Sequence, residues 1–149
     1  MSYLAMAEIQ RSKARYFRGI DTKDTALVRS ILADDCVLDY RGSGVDPRTG
    51  QDILPDTSIV IEGAASFSTE AGFVVTSVHQ GFNFDIELTS ETTANSICAM
   101  TDRLYLAPGG RFAVVVGYGY YHETYEKVGE VWKIKTLRLQ RIRVEGRAA

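Results

Sequence analysis

Histidine, cysteine, proline and tryptophan are scarce: 149 residues hold two, two, three and one of them. The cysteines, Cys36 and Cys98, lie far apart, and no CxxC or mixed Cys/His spacing occurs. Neither a metal centre nor a disulfide framework is expected on that ground. Two thiols in strand-like runs read as buried, reduced residues of a cytoplasmic protein. Also missing are an apolar run of membrane-spanning length and, in the opening MSYLAMAEIQRSK, a basic segment followed by an apolar one. A membrane span and a targeting segment are therefore not expected. GxSxG, HExxH and a phosphate-cradling glycine loop are absent as well. Neither charge dominates: 17 basic and 19 acidic residues leave a net charge of −2. That balance argues against nucleic acid as a partner, because such a protein presents a basic face. The local cluster Lys133, Lys135, Arg138, Arg141, Arg143 and Arg147 reads as a solvated strand face and tail.

What the chain does have is enough apolar residue, 45%, to bury a core, and a length that fits one domain, residues 1–149. Leu4, Met6, Ile9, Tyr16, Phe17 and Ile20 recur at helical spacing over 3–20, with Lys13 interrupting the stripe. Thr22 or Asp24 caps a second helix over 25–33. A short strand over 36–40 follows. Residues 41–57 hold three glycines and two prolines and read as a long surface loop. A small strand is expected over 58–61 and a third helix over 62–71. The second half alternates as strands over 74–88, 94–106, 112–127 and 131–144, with a hairpin signal at Ala107-Pro108-Gly109-Gly110. Helices first and a four-stranded meander after them indicate an α+β domain. Glycines 81, 117 and 119 lie inside strands, where glycine marks bends or close approaches. The expected architecture is a cone-shaped barrel, a strongly curved antiparallel sheet wrapped around three N-terminal helices with an internal pocket.

Three places carry candidate chemistry. Asp21 follows the apolar face of the first helix, so it is either a solvated turn residue or a carboxylate held at the inner end of a helix, where it needs a partner. His79 is the partner the chain offers. Simple alternation puts it with Gly81, Asn83, Asp85 and Glu87 on a polar face, opposite Phe82, Phe84 and Ile86; a bulge at Gly81 reverses that parity and turns His79 inward. His122 follows Tyr118, Tyr120 and Tyr121, a cluster that serves either as strand packing with wet hydroxyls or as an aromatic pocket wall.

The stretches YFRGIDTKDTALVRSILADDCVLDYR, VIEGAASFS, SVHQGFNFDIELTSETTANS and YYHETYEKVGEVWKIKTLRLQR, in that order, resemble the SnoaL-like branch of the nuclear transport factor 2-like superfamily over nearly the whole chain. Within it the pattern is similar to the scytalone dehydratases and hexachlorocyclohexane dehydrochlorinases. The resemblance implies an oligomeric, cofactor-free lyase, dehydratase, isomerase or cyclase with a deep pocket for a small hydrophobic, polyketide-like or aromatic molecule. Carried over by position, it makes Asp21 and His79 a catalytic dyad and Tyr40, in LDYR, a catalytic tyrosine. Tyr16, Phe17, Phe73, Tyr118, Tyr120, Tyr121 and His122 are the expected pocket residues. Ile20 stands where the dehydratases have a tyrosine, and their second pocket histidine and pocket asparagine fall near Leu104 and Tyr121, so the substrate-reading shell differs. The other readings of the fold are a non-catalytic binder of small molecules and an assembly protein resembling the small subunits of ring-hydroxylating dioxygenases. A dimer or trimer fits each of them.

Overall fold

The structure, a computed structural model, describes residues 2–70 and 72–149. Helix α1 spans Ser2–Asp21, and its buried stripe Ile9, Ser12, Lys13, Tyr16, Phe17 and Gly19 follows the helical repeat. It ends where Lys23 adopts a left-handed φ of 57° and the backbone and hydroxyl of Thr22 both donate to the Arg18 carbonyl. Helix α2, Thr25–Ser30, opens on Asp24, whose carboxylate accepts the Leu27 N–H. Gly19 lets the two helices touch, since a Cβ there would lie 2.5 Å from Cγ2 of Val28. The second helix is shorter than expected because Leu32 already opens strand β1, Leu32–Asp39, and pairs with Ile134.

The remaining strands are β2, Val60–Glu62; β3, Val74–Leu88; β4, Thr93–Leu106; β5, Val114–Val128; and β6, Val131–Arg147. They form one sheet in the order β2-β1-β6-β5-β4-β3. The meander from β3 to β6 is antiparallel throughout, whereas β1 lies parallel to β6. α1 packs its stripe on one face of this sheet. There Tyr16, Phe17, Val28, Leu38, Cys98, Tyr121, Tyr125 and Trp132 join a buried apolar core.

Two expectations about architecture are corrected. The sheet is open, not a closed and strongly curled cone: β2 and β3 are its two edges and do not pair with each other. Closure would need a β2–β3 ladder, and β2 has only three residues to offer. Among the described residues there are two α-helices rather than three. The expected third helix over 62–71, whose last residue Ala71 lies outside the described residues, is a single 3-10 turn, Ala64–Ser66. Gly63 sits at φ 85°, outside helical space. The guanidinium of Arg29 donates to the carbonyls of Ala65 and Phe67, groups a helix would have used internally.

Strand β3 changes parity partway along. Ser77, His79 and Gly81 face the core, then the register shifts between Phe82 and Asp85, and Phe84, Ile86 and Leu88 face inward beyond it. The irregularity is centred on Asn83, whose φ is 52°. Gly81 has a separate role: a Cβ there would sit 2.4 Å from the Phe17 ring. Of the apolar trio expected on one face, Phe82 alone points outward, 45% exposed.

Candidate active site

Asp21 is the last residue of α1, and β3 crosses that helix end. The Asp21 carboxylate collects three donors from the strand. Its Oδ2 accepts the backbone N–H of His79 at 2.8 Å, and its Oδ1 accepts the Ser77 hydroxyl at 2.9 Å and bonds Nδ1 of His79 at 2.6 Å. An ionised carboxylate only accepts, so Nδ1 carries the proton, and in the neutral imidazole Nε2 then holds the lone pair. Phe17 lies nearly parallel to the imidazole, its centroid 6.0 Å away. The His79 side chain is 9% exposed.

His79 looks into a cavity of about 470 Å³ bounded by α1, the loop 41–57 and the core face of the sheet. Ile20, Leu54, Ile61, Phe67, Phe73, Leu104 and Leu139 give it apolar walls. His79, Tyr16, Tyr40, Ser77, Asp102, Tyr121 and Arg141 bring polar groups to it, as do Lys23, Ser43, Asp56, Thr57, Ser68, Thr69 and Glu70. Tyr16 and Tyr40 share a 2.5 Å hydrogen bond between hydroxyls. Burial, and then the neighbouring phenols, push Tyr16 well above the ordinary tyrosine range; burial does the same to Tyr40. Both are proton donors at neutral pH.

The structure brings Asp21, His79, Tyr40, Tyr16, Phe73 and Tyr121 to this cavity or its wall. Phe17 backs the imidazole without lining the cavity. Tyr118, Tyr120 and His122 do not belong to it. From Gly117 to Tyr125 the buried residues of β5 are Gly117, Gly119, Tyr121, Glu123 and Tyr125, so the alternate positions point to the other face. Tyr118 and Tyr120 are 39% and 38% exposed there, and His122 Nε2 shares a 2.7 Å hydrogen bond with Gln140.

Two buried ion pairs escaped the sequence reading. Arg141 belongs to the basic C-terminal cluster read as solvated, yet its side chain is 5% exposed. Its Nη1 and Nη2 donate to the two oxygens of Asp102 at 2.8 and 3.0 Å, and its Nε donates to the Ser43 carbonyl. Lys13, read as a snorkelling residue, is fully buried; its ammonium lies 3.0 Å from Glu123 Oε2 and 3.6 Å from the centroid of the Tyr121 ring. Burial lowers Lys13 and raises Glu123 from their ordinary values, against the pull of their pairing. An inward parity count along β5, setting Glu123 beside Tyr121 and Tyr125, was the one signal that could have exposed the second pair.

Among the described residues no three or more His, Cys, Asp or Glu side chains are grouped so as to hold a metal ion. None of the described helices is long and apolar enough to cross a membrane. Among solved structures the chain is similar to a protein of Novosphingobium aromaticivorans proposed as a scytalone dehydratase. The TM-score is 0.78 and the identity 21%, over 99% of this chain and 93% of that one. A hexachlorocyclohexane dehydrochlorinase, LinA-type3, from Novosphingobium barchaimii matches with TM-score 0.75 and 19% identity, over 97% and 91%. A nuclear transport factor 2-like superfamily protein from Salmonella enterica matches with TM-score 0.69 and 14% identity, over 100% and 95%. At these identities the likeness is one of fold. Among proteins of curated function none matches the sequence. The family model for the SnoaL-like domain matches residues 1–138, and the chain belongs to that family.

Proposed function

We propose that residues 1–149 act as one domain and as a cofactor-independent acid–base enzyme, a lyase or dehydratase, isomerase or cyclase, on a small hydrophobic substrate. The observation that carries this is the 2.6 Å bond from Asp21 to His79 Nδ1, which leaves Nε2 as the basic nitrogen at an apolar-walled cavity. Nε2 takes a proton from a carbon next to a carbonyl. The pair of electrons left behind moves onto that oxygen as an enolate. Asp21 stabilises the imidazolium through Nδ1–H. Tyr40 donates to the enolate oxygen. In a dehydration the enolate re-forms its carbonyl, a β-hydroxyl leaves, and the imidazolium supplies the proton that makes it water. In an isomerisation the same proton returns to another carbon. The likeness in fold to a dehydrochlorinase and to a proposed scytalone dehydratase supports proton abstraction from carbon as the first step.

Two further inferences complete this reading. The buried, unpaired thiols of Cys36 and Cys98 suit a reducing cytoplasm. The outer face of the sheet, with Phe82, Ile97, Tyr118 and Tyr120 each more than a third exposed, suits self-association into a dimer or trimer.

The test is a panel of neutral aromatic β-hydroxyketones and cyclic ketones in deuterated solvent, read by mass spectrometry and NMR. Wild type should exchange or eliminate at least one of them, and His79→Asn or Asp21→Asn should lose about 10²–10⁴-fold. Full rates from folded His79→Asn on a substrate that wild type turns over would sink the assignment.

A further inference from the structure

The proposed base has a carboxylate at each end. Asp21 bonds Nδ1, and beyond the other nitrogen Oδ2 of Asp102 lies 3.8 Å from Nε2. That distance is too long for a hydrogen bond and close enough for strong electrostatic coupling in a buried site. Left free, a carboxylate so placed would close onto Nε2, stabilise a standing imidazolium and remove the lone pair that the reaction needs.

Asp102 is not free. It sits on β4 with both oxygens in the fork of Arg141, which reaches it from β6. Arg141 is itself fixed, because its Nε donates to the Ser43 carbonyl at 2.8 Å. The floor beneath the pair is Gly117 on β5, where a Cβ would lie 2.3 Å from Arg141 Nη1 and 2.4 Å from Asp102 Oδ1. Three strands and one loop thus hold a charge-balanced pair beside the imidazole. The other titratable groups lining the cavity are the Tyr16, Tyr40 and Tyr121 phenols, which burial keeps protonated, and the side chains of Lys23, Asp56 and Glu70. Lys23, at the rim, is spent on the Val74 carbonyl.

We propose that Asp102 and Arg141 form a positioning unit for His79, in which Arg141 holds the Asp102 carboxylate short of Nε2 and offsets its charge. The unit keeps the lone pair of Nε2 available to substrate, and it places a carboxylate within reach of the new N–H once the proton has been taken. This rests on His79 being the base of the proposed reaction. Arg141 is committed to Asp102 and Ser43, so a substrate carboxylate finds no free guanidinium in the cavity.

The experiment needs no substrate: ¹⁵N–¹H spectra of the imidazoles across pH, in a His122→Gln background that leaves one histidine signal. In Arg141→Gln the His79 midpoint should rise by about 1–2 pH units relative to the parent, as the released carboxylate closes on Nε2. In Asp102→Asn it should fall by about one unit, because Arg141 then faces the ring unopposed. The double variant should return close to the parent. Should Arg141→Gln fail to fold, Asp102→Asn and the double variant still decide, since an unmoved midpoint in Asp102→Asn means that the carboxylate is not felt at His79 and overturns the proposal. An unmoved midpoint in folded Arg141→Gln overturns it too. Shifts as expected in a protein that turns over nothing would uphold the unit and defeat the enzyme reading. A His79-dependent rate with unmoved midpoints would do the reverse.

Discussion

Tyr16 is fully buried, and the hydroxyl of Tyr40 is its hydrogen-bond partner. Burial holds both phenols protonated at neutral pH, so the economical arrangement has Tyr16 donating to Tyr40 and Tyr40 donating into the cavity. Tyr40→Phe should therefore lower kcat by about 10²-fold with little change in KM, the signature of a donor felt mainly in the transition state. Tyr16→Phe should cost less, because it removes only the support for that donor. Steady-state kinetics on any substrate found in the panel would check both. Lys13 and Glu123 bear on stability instead. Burial puts the folded Lys13 below its unfolded value, so its contribution to stability falls as pH drops from 10.5 towards that folded value. Burial puts the folded Glu123 above its unfolded value, so its contribution falls as pH rises from 4.5 towards the folded value. Both contributions therefore decline toward the middle of the pH range, Lys13's from the basic side and Glu123's from the acidic side. Lys13→Met alone should cost about 3–5 kcal/mol in urea unfolding by stranding Glu123, whereas Lys13→Met with Glu123→Leu should be neutral or stabilising. At this scale residue chemistry offered Asp21 and His79 as possible partners, the family pattern made that pairing the favoured one, and Tyr40 came from the pattern alone, since each by itself is an ordinary turn or strand residue. Asp102 and Arg141 stayed hidden because a charged residue inside an alternating strand looks the same from sequence whether it is wet or paired over an intervening strand.

Strand β3 delivers His79 to the cavity and still buries Phe84 and Ile86 because it spends one residue on a change of parity at Asn83. A residue with φ near +52° strains any side chain branched at Cβ, and asparagine tolerates it better. Asn83→Val should thus lower stability by about 1–2 kcal/mol, and Asn83→Gly should be close to neutral, both read from denaturant midpoints. Wild-type stability in Asn83→Val would mean that the strand can shift its irregularity elsewhere. Alternation showed that His79 needs such a reversal to face inward, but placed it at Gly81, the residue with the evident freedom. Gly81 is small for another reason, the Phe17 ring packed over it. The four long strands and the first helix were legible because their apolar periods run for many residues. The third helix was misread because VIEGAAS has helical composition and its breakers act through tertiary bonds, the Arg29 guanidinium taking the carbonyls of Ala65 and Phe67. The parallel pairing of β1 with β6 joins segments a hundred residues apart, and no local pattern encodes it.

Across the whole molecule, the sheet's two faces do different work. The inner face meets α1 and forms the core and the cavity; the outer face carries none of the described helices. The sequence order, helices and then a meander, revealed that division but not whether the sheet closes, because closure depends on the length of the edge strands and their mutual distance. With the sheet open, apolar residues on its outer face have only solvent or another molecule to meet. Phe82, Ile97, Tyr118 and Tyr120 lie on three adjacent strands, in register such that Phe82 neighbours Ala99 and Ala99 neighbours Tyr120. They form a patch rather than isolated exposures, and burying such a patch at about 25 cal/mol per Å² favours association. A second copy is the partner always present, and a symmetric pairing brings the same patch from both sides. Sedimentation equilibrium at micromolar concentration should find wild type as a dimer or trimer. Phe82→Lys with Tyr120→Lys should sediment as a monomer that keeps its fold and its cavity, since neither side chain touches the core. A monomeric wild type would assign this face to a different partner. An unchanged oligomer in the double variant would move the interface to an edge of the open sheet, of which β3 is the longer and offers more unpaired backbone groups than β2.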